Sequence, residues 1–179
     1  GRNAIEGMAK VILAIEADNE RLSQRQHPLL GAATCNVGTI NGGVQVNFVP
    51  DRCEIQLDRR LLPDETPEGV LVEYQRMLDE LCRREAGLTV RLVEPPLLTD
   101  WPLETDPTSS LVQVVAQALE GFGMDATPIG VPFCSDASKF GMRGIPAIIL
   151  GPGSIDQAHA AVEYVDCQQV VQAAEIYYR

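Results

Sequence analysis

The sequence predicts an α/β protein built from two unequal segments. Three observations predict it. Helical spacing of apolar residues opens the chain, and strand-like alternation with turn signals follows it. A proline-dense stretch at 94–102 then separates this first segment from a second. That second segment holds a short, wholly apolar run of the kind a covered sheet buries.

The elements follow in order. Ile5, Met8, Ile12 and Ile15 recur at helical spacing and predict a first helix. After Pro28 the texture becomes strand-like. Asn41-Gly42-Gly43 reads as a hairpin turn between strands at Cys35–Ile40 and Val44–Val49. Beyond Pro50, Cys53, Ile55 and Leu57 alternate with Glu54, Gln56 and Asp58, which predicts a strand with one buried face. Val70, Leu71, Tyr74, Leu78 and Leu81 predict a second helix, and Leu88–Val93 a further strand. The order α-β-β-α-β is a ferredoxin-like βαββαβ sandwich lacking its first strand, so the chain is expected to begin inside a domain.

Past the prolines, Leu111, Val115, Ala118 and Phe122 predict a third helix, with Asp106-Pro107 at its start. Ala147–Leu150 is apolar on both faces and predicts a strand of a covered parallel sheet. Val170, Ala173, Ala174 and Tyr177 predict a closing helix. This second segment has too few elements for a full core and is expected to belong to something larger. The domains are therefore residues 1–98 and 99–179.

Composition narrows the function. The chain has 179 residues, with 14 Lys and Arg against 25 Asp and Glu, a formal charge of −11. That balance argues against nucleic acid and against anionic membrane surfaces as partners. No apolar run approaches the about 20 residues of a membrane helix, and the first ten residues lack a signal-peptide layout. The five cysteines (35, 53, 82, 134 and 167) are scattered and form no CxxC pair, so reduced thiols in the cytoplasm are expected.

Few residues could carry chemistry. Of the two histidines, His27 lies in a polar stretch and reads as a solvated loop residue. His159 follows Gly151-Pro152-Gly153, just past the predicted buried strand, where sites of open α/β sheets collect. Glu163 is four residues on, so the two suit a divalent metal, or a ligand with its orienting carboxylate. A histidine at a helix start fits the spacing equally well. Ser135 and Asp136 read either as a substrate loop at a helix N-terminus or as ordinary helix caps, and capping is the commoner outcome. Arg60 lies on the polar face of its strand, 13 positions beyond Asn47. Its guanidinium could grip a carboxylate with two parallel hydrogen bonds, or pair with Asp58 or Asp64 on the surface, again the commoner fate. The sequence contains no GxSxG, GxGxxG or Walker A string. Nothing local supports a Cys134–His159 nucleophile pair.

Several strings, taken in order, carry a family resemblance. They are Gly38-Thr39-Ile40-Asn41-Gly42-Gly43, Asn47-Phe48-Val49-Pro50-Asp51 and Leu57-Asp58-Arg59-Arg60-Leu61-Leu62-Pro63. They resemble the dimerisation or lid domain of the M20 metallopeptidases. Ser135-Asp136-Ala137, Gly144-Ile145-Pro146-Ala147, Gly151-Pro152-Gly153-Ser154-Ile155 and Ala158-His159 resemble the C-terminal part of that family's α/β zinc-peptidase domain. The GPGSI…QAH string is most like acetylornithine deacetylases. The resemblance implies a zinc-dependent amidohydrolase that cleaves the amide of N-acyl amino acids or small peptides and dimerises through its lid. It implies two zinc ions, with cobalt or manganese possible. It makes His159 a metal ligand and Asn47 and Arg60 binders of the substrate carboxylate. Ser135, Asp136, Gly151 and Gly153 would line the pocket.

The departures are equally specific. The family's HxD ligands, bridging aspartate, Glu-Glu pair and lid histidine are absent, and Val162-Glu163 stands where the family has Asp-Glu. One histidine cannot assemble a dinuclear site. The chain is therefore expected to be the C-terminal portion of such an enzyme and inactive alone. The rival expectation is a non-catalytic dimerisation or carboxylate-binding module.

Overall fold

The computed structural model describes residues 1–158 and 160–178. They form two compact units, one of 1–102 with 130–134 and one of 103–129 with 135–179. Mixed helix and antiparallel sheet make up the fold, in the α/β class the sequence predicts.

In the first unit, α1 (Ala4–Ser23) starts at Asn3, whose side-chain oxygen accepts the Ile5 and Glu6 amides. Val11, Ile15 and Leu22 fall on its buried stripe. A short antiparallel pair follows, β1 (Gln26–His27) with β2 (Gly31–Ala32). Here the structure corrects the sequence reading of His27 as a solvated loop residue. The ring is half-buried, and Nδ1 accepts the amides of Leu29 (3.2 Å) and Leu30 (3.3 Å), fastening the turn.

The main sheet is an antiparallel pair, β3 (Thr34–Gly42) with β4 (Cys53–Arg60). Cys35 lies opposite Arg59 and Val37 opposite Leu57, and the register then slips so that Thr39 meets Gln56. Gly38 is thus an extra residue in β3, a β-bulge. The hairpin departs from the expected one. Val44–Val49 forms bends and a turn, with the Phe48 amide bonded to the Gln45 carbonyl (3.0 Å), and β4 takes the place of that strand as partner of β3. Val44 and Val46 are fully exposed, so their alternation has no sheet face to bury.

α2 (Pro67–Arg84) is capped by Thr66, whose hydroxyl accepts the Gly69 amide (3.1 Å), with Pro67 in its first turn. Arg83 and Arg84 sit in its last turn, where cations favour the helix dipole. Val70, Tyr74 and Leu78 face inward and close the core with Val11, Ile15, Leu22, Ala33, Cys35 and Leu62. The expected strand at Leu88–Val93 does not form. Val90 and Leu92 pack against the core at alternate positions, but the segment joins no ladder.

The second unit holds α3 (Ser110–Glu120), α4 (Ala137–Gly141), a single 3₁₀ turn at Ile155–Gln157 and α5 (Cys167–Tyr178). The third helix begins later than Asp106-Pro107 suggests. Asp106 instead takes the Thr108 amide and hydroxyl (both 2.7 Å) in a turn before the helix, and Phe122 falls beyond its end. Those bonds hold the Asp106 carboxyl below its ordinary range.

Ala147–Leu150 is not a strand. Thr105 Oγ1 engages both the amide and the carbonyl of Ala147, and the Tyr177 hydroxyl donates to the Leu150 carbonyl (2.7 Å). Side chains therefore take backbone groups that a ladder would use. The run is not covered on both faces either, since Ile149 is exposed. In α5 the buried residue is Ile176, while Val170 and Tyr177 of the expected stripe are exposed. Among the described residues no helix is long and apolar enough to cross a membrane.

Candidate functional site

The most developed arrangement of polar side chains lies at the end of β4. Alternation sends Glu54, Gln56, Asp58 and Arg60 to one face and Cys53, Ile55, Leu57 and Arg59 to the other. Arg60 stays half exposed. Its Nη2 donates to Asp58 Oδ2 (2.7 Å), and its Nη1 donates to the Cys134 thiol sulfur (3.6 Å). Of the carboxylates the sequence offered Arg60, Asp58 is the partner, and Asp64 pairs with Arg25 instead (2.8 Å). That pairing holds the Asp64 carboxyl low and pushes the Arg25 guanidinium up.

Arg59 is the residue the sequence reading overlooked. Its side chain is 9% exposed and its Nη2 meets Glu65 Oε1 at 2.5 Å, with Glu65 itself 4% exposed. The same oxygen accepts Arg25 Nη1 (2.8 Å), and Oε2 accepts the Leu62 amide (2.8 Å). Two guanidiniums and one amide thus compensate a buried carboxylate, as burial of a charge requires. Arg59 Nη1 also donates to the Arg60 carbonyl. The signal was legible: Arg59 shares the parity of Cys53, Ile55 and Leu57.

The other predicted site residues are distributed as follows. Asn47 is exposed in the turn that precedes β4, in the first unit with Arg60. Ser135, Asp136, Gly151 and Gly153 belong to the second unit. Ser135 Oγ accepts the Ala137 amide at the start of α4 (3.3 Å), while Asp136 stands at the cap position without a capping bond. The Gly153 amide donates to Gln169 Oε1 (2.8 Å) at a φ of 92°, a conformation that favours glycine. Glu163 is exposed. His159 lies outside the described residues.

No three His, Cys, Asp or Glu side chains among the described residues come close enough to hold a metal ion. The described side chains do not fit a metal centre by themselves.

Comparison with known proteins gives this arrangement a context. Residues 1–86 match the peptidase dimerisation domain of M20 enzymes. An acetylornithine deacetylase of Pectobacterium carotovorum is 33% identical over 180 aligned residues, and one of Klebsiella pneumoniae is 34% identical. Each alignment covers 98% of this chain but 45% of the relative, so the chain spans about half the length of the curated relatives it matches. Among solved structures, a tripeptidase of Staphylococcus aureus superposes with a TM-score of 0.62 at 20% identity. It covers 92% of this chain, which in turn covers 43% of the tripeptidase. An M20 family metallo-carboxypeptidase of Sulfolobus solfataricus gives 0.58 at 19% identity, with coverages of 91% and 43%. At that identity the likeness concerns the fold.

Proposed function

The chain belongs to the M20 peptidase family, with that family's dimerisation domain at residues 1–86, and on this premise we propose that it serves a metal-dependent amidohydrolase acting on N-acyl amino acids. The observation that carries the reading is the alignment of 98% of the chain with acetylornithine deacetylases. N-acetylornithine is accordingly the first substrate to try. Residues 1–98 act as lid and dimerisation domain, and residues 99–179 form the C-terminal part of the catalytic domain.

Arg60 and Asn47 bind the substrate carboxylate. A half-exposed guanidinium with two of its five N–H donors engaged supports that role for Arg60. Ser135, Asp136, Gly151 and Gly153 line the pocket, and His159 supplies one metal ligand. The remaining ligands and the general base belong to the part of the relatives' length that this chain does not span. Zinc is the proposed metal, two ions per site, with cobalt or manganese as substitutes. When bound, the metal supplies a hydroxide at neutral pH. The proposed setting is a cytoplasmic homodimer.

The test is deacylation of N-acetylornithine with added zinc, cobalt or manganese. It compares residues 1–179 alone with the same chain joined to the N-terminal portion of an M20 deacetylase. The expected result is no turnover by residues 1–179 and turnover by the joined protein, falling at least about 100-fold in Arg60→Ala through lost substrate orientation. Turnover by residues 1–179 alone refutes the division of labour. Unchanged activity of Arg60→Ala refutes the carboxylate role. A monomeric mass by light scattering at micromolar concentration counts against the homodimer.

A further inference from the structure

We propose that Asp58 is a positioning residue for Arg60, holding its guanidinium in the orientation that meets a ligand carboxylate. The inference rests on the reading of Arg60 as the carboxylate binder. A lone arginine on an exposed strand face samples many rotamers, and ordering it on binding costs affinity. Here it is ordered beforehand. Asp58 and Arg60 are two residues apart on β4 and therefore share a face, with Oδ2 of one 2.7 Å from Nη2 of the other. The sulfur of Cys134 accepts a hydrogen bond from Nη1. Three N–H donors remain, enough for a two-pronged contact with a carboxylate.

The backbone beneath is fixed as well. Arg59 Nη1 donates to the Arg60 carbonyl, and Arg59 is itself held by buried Glu65. Asp58 touches Arg60 through a single oxygen and leaves the guanidinium half exposed. It orients the group without covering it.

The test uses the full 179-residue chain labelled with ¹⁵N, its Arg60 Nε–H signal assigned through Arg60→Lys. N-acetyl-L-ornithine and its carboxamide are the probes. Asp58 is half exposed, so Asp58→Asn is expected to fold. In that variant the Nε–H group should lose order on the nanosecond scale, and N-acetylornithine should bind about two- to fivefold more weakly, the range open to an exposed ion pair. Asp58→Glu should recover part of both effects. Unchanged order of the Arg60 signal in Asp58→Asn overturns the proposal. So does tighter binding, which would make Asp58 a competitor for Arg60. If Arg60→Lys binds the probe as well as the unaltered chain, or if the unaltered chain does not bind it, the carboxylate reading of Arg60 fails. The order measurement still decides the role of Asp58.

Discussion

The two units differ in how they bury apolar surface. The first packs two helices over a hairpin, and nine side chains from four stretches of sequence meet in one core. In the second, Ile176 is the one buried hydrophobic residue among those described, and α3 has none despite an apolar stripe. Helical spacing of apolar residues is present in both. The comparison teaches that periodicity specifies where a helix forms, while burial depends on what the chain can place opposite it. Stability in this chain should therefore be concentrated in the first unit.

The largest expected effect is at Leu22, which is 1% exposed. Leu22→Ala should cost about 3–5 kcal/mol, whereas Ile176→Ala should cost about 2 kcal/mol, the low end for such a truncation, because its surroundings can collapse. Urea unfolding followed by the single tryptophan, Trp101 of the first unit, and by far-ultraviolet circular dichroism checks both. Equal costs would break the comparison.

Glu65 comes next. Glu65→Ala leaves Arg59 buried without its carboxylate and should cost about 3 kcal/mol. Glu65→Gln, which retains an acceptor for the Leu62 amide, should cost less. The same urea titrations decide it, and a cost below that of removing an exposed pair such as Arg52–Glu54 would contradict the role given to Glu65.

The smallest effect is on pH dependence. Burial pushes up both the Cys35 thiol, ordinarily 9.0, and the Tyr74 hydroxyl, ordinarily 10.0. The two lie side by side, and the buried hydroxyl has no well-formed hydrogen bond among the described residues. The folded unit keeps both neutral while the unfolded chain ionises them. Their contribution is therefore complete below about pH 9 and is lost as pH rises further. The Tm reported by Trp101 should fall between pH 8 and pH 11, and less steeply in Tyr74→Phe. Among the described residues the second unit offers no such pair, since its Cys167, Tyr164, Tyr177 and Tyr178 are exposed. An identical slope in Tyr74→Phe would remove this distinction.

What the sequence made legible divides along similar lines. The amphipathic helices α1 and α2 were readable because one stripe of each meets a core made within the same unit. β4 was readable because strict alternation met a buried face. Val44–Val49 alternates as well, but its valines face solvent, and alternation alone does not say which. Leu88–Val93 and Ala147–Leu150 have strand composition, yet a strand exists only where a ladder partner is available. For Ala147–Leu150, Thr105 and Tyr177 occupy backbone groups that a partner would need, and pairs 27 to 42 residues apart leave no local trace. At the candidate site, Arg60 was readable from its parity and its surrounding string. Of the Arg25–Glu65–Arg59 cluster the sequence shows one member only, a charged residue at an inward position of β4. Its members are up to 40 residues apart.

The bulge at Gly38 has a consequence for how this strand can change length. Sidedness in a strand is a two-state alternation, so adding or removing one residue ordinarily turns every later side chain over. In β3 the surplus residue is already present and absorbed. Removing Gly38 would join Val37 to Thr39 with both still opposite Leu57 and Gln56, and Ile40 still opposite Ile55. Gly38 is thus the position at which descendants of this chain could lose a residue while every other side chain of the hairpin keeps its face.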